Sequence, residues 1–256
     1  MTPILFALLA AAQAAPADSA DAQYRACTDA IRTDAEKAIA AADAWRLSGG
    51  GLDARGCLGL AYVAAERWAP AATAFEQAAR EAETKQDGRS ADFWAQSGNA
   101  WLAGGNPAQA LKAFDAALAT SALQAELRGE VHLDRARAAV ALGDLAAARA
   151  DLDKALALVA VDPMAWYLSA ALARRQGDLS RAATEIAKAV ELAPREAPIL
   201  LEAGNITGML GDVPSAKALY ARAAQADPES PAGRAAAAAL AANGAPEEAP
   251  AAAQPK

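Results

Sequence analysis

The side chains of this sequence that could carry chemistry are few and scattered. The single histidine, His132, has Glu130 and Asp134 two residues to either side. On a helix, residues two apart project from different faces, whereas a metal centre or an acid–base pair needs side chains that converge. That spacing assigns His132 a structural role. Gly49-Gly50-Gly51 is not followed by Lys-Ser or Lys-Thr, so it lacks the groups with which a phosphate loop holds its ligand. Asn205-Ile206-Thr207 matches a glycosylation acceptor but falls inside a helical pattern instead of a loop. Glu247 and Glu248 are neighbours in a tail rich in Pro and Ala. The sequence shows no catalytic set, no metal set and no cofactor motif, and reads as non-enzymatic.

Cys27 and Cys57 are the only cysteines. Their reading depends on the N-terminus, where the apolar run Ile4 to Ala12 ends in Ala12-Gln13-Ala14, a small-x-small cleavage pattern. Residues 1–14 are expected to be a secretory signal, too short for a membrane span, which predicts export to the periplasm. The basic n-region of such signals is missing, so an apolar leader on a cytosolic protein is the competing reading. In an oxidising compartment the two cysteines pair as a disulfide; otherwise they are buried thiols acting as small apolar fillers.

The elements that must position any site are helices. Aromatics make up 5% of residues, alanine dominates, and alanine loses no side-chain entropy in a helix. The net charge of −7 leaves no basic footprint for nucleic acid. A frame recurs along the chain. Gly177-Asp178-Leu179 with Ala182, Ile186 and Ala189 returns 34 residues later as Gly211-Asp212-Val213 with Ala216, Tyr220 and Ala223. It fits upstream at Gly143-Asp144-Leu145, and again 38 residues earlier at Gly105-Asn106-Pro107. A first copy, Glu66-Arg67-Trp68, lacks the turn glycine.

Each period reads as a helical hairpin. Trp166, Ser169, Ala170 and Ala173 share one helical face, as do Leu179, Ala182, Ala183, Ile186 and Ala189. Gly177 suits a left-handed helix end, Asp178 an N-cap, and Ala193-Pro194 a stop. Small residues at Gly98, Ala170 and Gly204 allow close helix approach, with Phe114, Ile186 and Tyr220 filling the space beside them. One hairpin cannot bury its own apolar face, so neighbours must stack.

Leu58-Gly59-x-x-Tyr62, Ala71, Phe75 and Ala78, with Trp94-x-x-Ser97-Gly98-x-x-Trp101, Ala110, Phe114 and Ala117, resemble the tetratricopeptide repeat. The resemblance implies an all-α, right-handed α-solenoid of about five hairpins over residues 52–230. A helical cap over 15–51, a capping helix over 231–243 and a disordered tail over 244–256 complete the expected organisation. Repeat three is the weakest copy, with His132, Ala136 and Ala139 where the family usually has larger residues or glycine. The linkers at Glu83–Asp87 and Ser121–Leu127 carry four or five extra residues, about one extra helical turn.

In proteins resembling this one, the first helix of each repeat lines a concave groove. Counting through the copies puts Asn99, Arg137, Tyr167, Arg174, Arg175 and Asn205 there, with apolar neighbours such as Leu102 and Leu201. Asparagine can pair with both the N–H and the C=O of an extended peptide, and arginine offers forked donors to a carboxylate. The Lys/Asn clamp for a terminal carboxylate is not reproduced, since Gly56, Ala95, Leu133, Tyr167 and Leu201 stand at the position it needs. The implied function is a scaffold or adaptor of the bacterial envelope that binds a protein or peptide partner. It would use no nucleic acid and no membrane span in the mature chain. The alternative is an envelope structural or glycan-binding protein that acts through self-association.

Overall fold

A computed structural model describes residues 17–121 and 123–243, and within them the chain forms thirteen α-helices and no strand. The expected signal (1–14) and tail (244–256) lie outside the described residues. The chain divides into two compact units, Met1–Thr120 and Ser121–Lys256. The first holds α1 (Ala17–Thr33), α2 (Ala35–Leu47), α3 (Gly51–Ala64), α4 (Trp68–Lys85), α5 (Ser90–Ala103) and α6 (Pro107–Ala119). The second holds α7 (Ala125–Ala141), α8 (Leu145–Leu158), α9 (Pro163–Arg175), α10 (Leu179–Leu192), α11 (Ala197–Met209), α12 (Val213–Ala226) and α13 (Pro231–Ala242). Helices α3 to α12 pair consecutively into five hairpins.

Local chemistry explains the helix starts. Asp144, Asp178 and Asp212 each accept a hydrogen bond from the backbone N–H three residues on, at 2.9, 3.0 and 3.1 Å. Ser230 caps α13 in the same way through Gly233 at 3.0 Å. These bonds satisfy N–H groups that have no partner inside the helix. The turn before each of these three aspartate caps needs a left-handed residue. Gly143, Gly177 and Gly211 supply it at φ 81°, 82° and 90°, and in the first hairpin Glu66 is forced there at φ 55°. The extra linker residues lengthen helices, not loops. α4 has 18 residues and α7 has 17, against 13 or 14 for the other hairpin helices.

Within a hairpin the helices meet where a glycine faces a ring. A Cβ on Gly59 would lie 2.5 Å from Phe75, one on Gly98 2.4 Å from Phe114, and one on Gly204 2.5 Å from Tyr220. Phe75 and Phe114 are buried, and alanines such as Ala71, Ala78, Ala110 and Ala117 fill the seam around them. In the first unit a disulfide joins Cys27 of α1 to Cys57 of α3, with the Cα atoms 6.4 Å apart. Around it Ala38, Ile39, Ala42 and Leu58 form a small core that ties α1 and α2 to the first hairpin.

Two outcomes follow for stability. Gly98→Ala improves helix propensity by about 1 kcal/mol, but it overpacks a seam for which about 1–3 kcal/mol is typical. A lower urea midpoint is therefore expected, partly recovered by adding Phe114→Leu; a midpoint at or above wild type would disprove the steric account. Reduction of the disulfide opens a loop with a sequence separation of 30 and should destabilise the first unit by about 3–4 kcal/mol, seen as a lower melting temperature under dithiothreitol.

Candidate functional site

In the second unit α9 and α11 present polar side chains on neighbouring first helices of two hairpins. Glu202 of α11 is buried, and Arg174 Nε of α9 donates to its Oε1 at 2.6 Å. Asn205 Nδ2 donates to Glu202 Oε2 at 3.3 Å. From the second helix of the hairpin, the Tyr220 hydroxyl donates to Asn205 Oδ1 at 3.1 Å. Tyr220 thus has two roles, since its ring packs on Gly204 while its hydroxyl fixes the amide. Arg174, Asn205, Met209, Val213 and Tyr220 line an open concavity of about 530 Å³. Among the described residues the terminal nitrogens of Arg174 make no hydrogen bond, and Asn205 keeps one donor and one lone pair. Tyr167 is half-buried beside this group. Burial, then the Glu202 charge, pushes its hydroxyl pKa up, and Arg174 partly opposes them. Tyr220 shifts the same way for the same causes.

Arg137 and Arg175 meet elsewhere in the unit. They stand at a smaller cavity of about 150 Å³ walled by Ala136, Val140, Leu152, Leu168 and Leu172. Arg137 donates to Asp134 at 2.8 Å, and among the described residues Arg175 has no hydrogen-bond or ion-pair partner. Asn99 belongs to the first unit, exposed on α5 and without a hydrogen bond among the described residues. The six candidate groove residues therefore fall into one trio, one pair and one isolated amide. The first unit has its own cavity of about 320 Å³, where Asp21 and Tyr24 of α1 join Asp53, Arg89, Asp92 and Phe93. Arg89 bridges Asp53 and Asp87 there. The Arg89 hydrogen bonds hold the Asp87 carboxyl down at about 2, while burial raises that of Asp92.

A sequence model of the tetratricopeptide repeat matches residues 58–125 and 133–197. The chain belongs to the tetratricopeptide repeat family. Its fold is shared with PilF of Pseudomonas aeruginosa, with a TM-score of 0.68 at 17% identity over 87% of this chain and 98% of that one. PilW, a type IV pilus biogenesis factor, aligns with a TM-score of 0.68 at 22% identity, over 86% of this chain and 99% of that one. YrrB, described as a tetratricopeptide protein with an unusual peptide-binding site, gives 0.54 at 17% identity, over 77% and 96%. At these identities the likeness is one of fold. No protein of curated function matches the chain in sequence. Members of the family are in general non-catalytic scaffolds for protein–protein interaction.

Reading the repeats by sequence missed three buried carboxylates. Asp151 on α8 receives Arg135 Nε and Nη2 at 2.8 and 2.7 Å, and His132 Nδ1 lies 2.9 Å away. His132 thus pairs across the hairpin and not with Glu130 or Asp134. Glu185 on α10 accepts from Ser169 Oγ at 2.6 Å and Arg181 Nε at 2.8 Å. Glu202 is the third. Asp151 and Glu185 stand one residue before Leu152 and Ile186, the large seam residues of their hairpins, so the repeat frame itself carried the signal.

Burial alone would raise the Asp151 carboxyl, but bonds from His132 and Arg135 outweigh it and leave the pKa below its ordinary 3.8. A folded-state value below the unfolded one gives stabilisation that is present above about 3.8 and lost as pH falls through the folded value. Asp151→Asn should therefore cost about 3 kcal/mol at neutral pH, as for one partner removed from a buried pair, and flatten this part of the acid limb. Urea titrations at pH 7 and pH 3 check both; an unchanged acid limb would refute the assignment.

Proposed function

We propose that this protein is an exported, non-catalytic adaptor of the bacterial cell envelope that holds a partner protein segment along the inner face of its repeats. The observation that carries this reading is the Arg174–Glu202–Asn205–Tyr220 network. Glu202 and Tyr220 hold a guanidinium and an amide in fixed positions while leaving each with open hydrogen-bonding capacity toward a concavity. Fixed donors and acceptors lower the entropy lost when an extended peptide docks, and an asparagine amide matches the paired N–H and C=O of such a chain. Three observations support the envelope setting: the apolar leader, the Cys27–Cys57 disulfide, and the fold shared with PilF and with the pilus biogenesis factor PilW. YrrB carries a peptide-binding site on the same fold. Among the described residues no helix is long and apolar enough to cross a membrane. Self-association is the second reading, favoured by the exposed Met209, Leu210 and Val213 at the α11–α12 turn.

A photo-crosslinking residue at Met209, in the concavity, should capture a discrete envelope protein in cells, and the same residue at Lys188 of α10 should not. Capture only of a second copy of the chain would favour self-association, and equal capture at both positions would count against the groove. Sequencing the mature N-terminus reports export, with Ala15 expected first and an intact Met1 excluding a cleaved leader.

A further inference from the structure

The small cavity between α7, α8 and α9 has two features that the concavity at Arg174 lacks. Its walls are apolar, with Val140 and Leu168 partly open to solvent above the buried Leu152 and Leu172. Its mouth carries two guanidinium groups, of which only Arg137 is matched by a carboxylate, Asp134. Arg175 is exposed in the last turn of α9 and unpartnered among the described residues. We propose that this cavity is a specificity pocket for one apolar side chain, of leucine or phenylalanine size, flanked by a side-chain carboxylate within an internal partner segment. The proposal rests on the groove reading above and names the sequence class the groove selects.

Size and charge decide the occupant. A cavity of about 150 Å³ lined by aliphatic groups is the size that accepts a benzene-sized group, so it takes a single side chain and excludes a lipid acyl chain. Filling it removes the exposed parts of Val140 and Leu168 from water, which is a gain without a polar penalty. The excess positive charge at the rim complements an acidic residue beside the apolar one, and a forked guanidinium receives a carboxylate through two parallel N–H donors. Arg174, the residue before Arg175, lines the larger concavity of the same unit. A bound segment therefore has polar docking positions beyond the pocket, which argues for an internal stretch over a chain end.

The test is fluorescence anisotropy of the full chain with labelled octapeptides, acetylated and amidated at their ends, whose centres read Glu-Leu-Glu, Glu-Ala-Glu, Gln-Leu-Gln or Lys-Leu-Lys. The Glu-Leu-Glu peptide should bind at least tenfold more tightly than each of the other three. Arg175→Glu, at an exposed position, should cancel the preference for Glu-Leu-Glu over Lys-Leu-Lys. Ala171→Phe, which fills the cavity from its lining, should cancel the preference for leucine over alanine while the charge preference remains. Circular dichroism melts show that each variant is folded, and should Ala171→Phe fail to fold, the Arg175→Glu result decides alone. Equal binding of all four peptides, or binding only when the terminal carboxylate is left free, overturns the pocket. If the crosslink at Met209 to an envelope protein persists in that case, the groove reading survives and only the pocket falls. Loss of both removes the groove as well.

Discussion

The structure depends on one steric arrangement, a small residue on the first helix of a hairpin opposite a large one on the second. Gly59 faces Phe75, Gly98 faces Phe114 and Gly204 faces Tyr220, each with no room for a Cβ. In the first two hairpins of the second unit Ala136 with Leu152 and Ala170 with Ile186 fill the same seam. Close approach of the backbones lets an alanine-rich sequence reach interior density, because alanine alone gives little to interdigitate. The last hairpin links this seam to the groove. Tyr220 replaces phenylalanine there, and the added hydroxyl reaches through to Asn205. Packing and recognition thus share one side chain.

A seam of alanines fits many registers almost equally well, and the buried carboxylates break that degeneracy. Asp151, Glu185 and Glu202 are each almost fully buried in the second unit, and each is met by donors from its own helix or a neighbouring one. Desolvation makes such pairs weak sources of net stability. A slip by one turn, however, would leave Asp151 or Glu202 buried without its arginine, which sits on another helix, at a cost of several kcal/mol. That penalty falls on wrong registers alone. The pairs therefore select one packing out of many of similar apolar burial, which alanine cannot do by shape.

The sequence made some of this legible and hid the rest for identifiable reasons. The hairpin turns could be read because their chemistry is local: Asp178 and Ser230 cap helices through bonds within three residues. The left-handed Glu66 was legible as a missing glycine. The extra residues at Glu83–Asp87 and Ser121–Leu127 were legible as about one added helical turn, and in the structure they lengthen α4 and α7. Asp151, Glu185 and Glu202 escaped notice because a charged residue on a helix is ordinarily read as solvated. The arginines of Asp151 and Glu202 lie on another helix, as with the 28-residue separation of Arg174 and Glu202. The spacing around His132 read as structural, while its partner Asp151, 19 residues away, was not visible.

Arg174 and Arg175 show where sequence reasoning ends and structure begins. They are adjacent, chemically identical, and both fit groove positions of the repeat. On a helix of 3.6 residues per turn they point about 100° apart, and that angle separates their roles. Arg174 turns toward a buried carboxylate that takes one of its donors and fixes its position. Its removal would expose Glu202 to an uncompensated interior, so a loss of binding in such a variant would be mixed with a loss of structure. Arg175 lies over an apolar cavity with no charge to answer it. Nothing in the fold depends on its guanidinium, so a change there reports on recognition alone. A guanidinium with no partner among the described residues is for that reason a direct probe of what the groove selects.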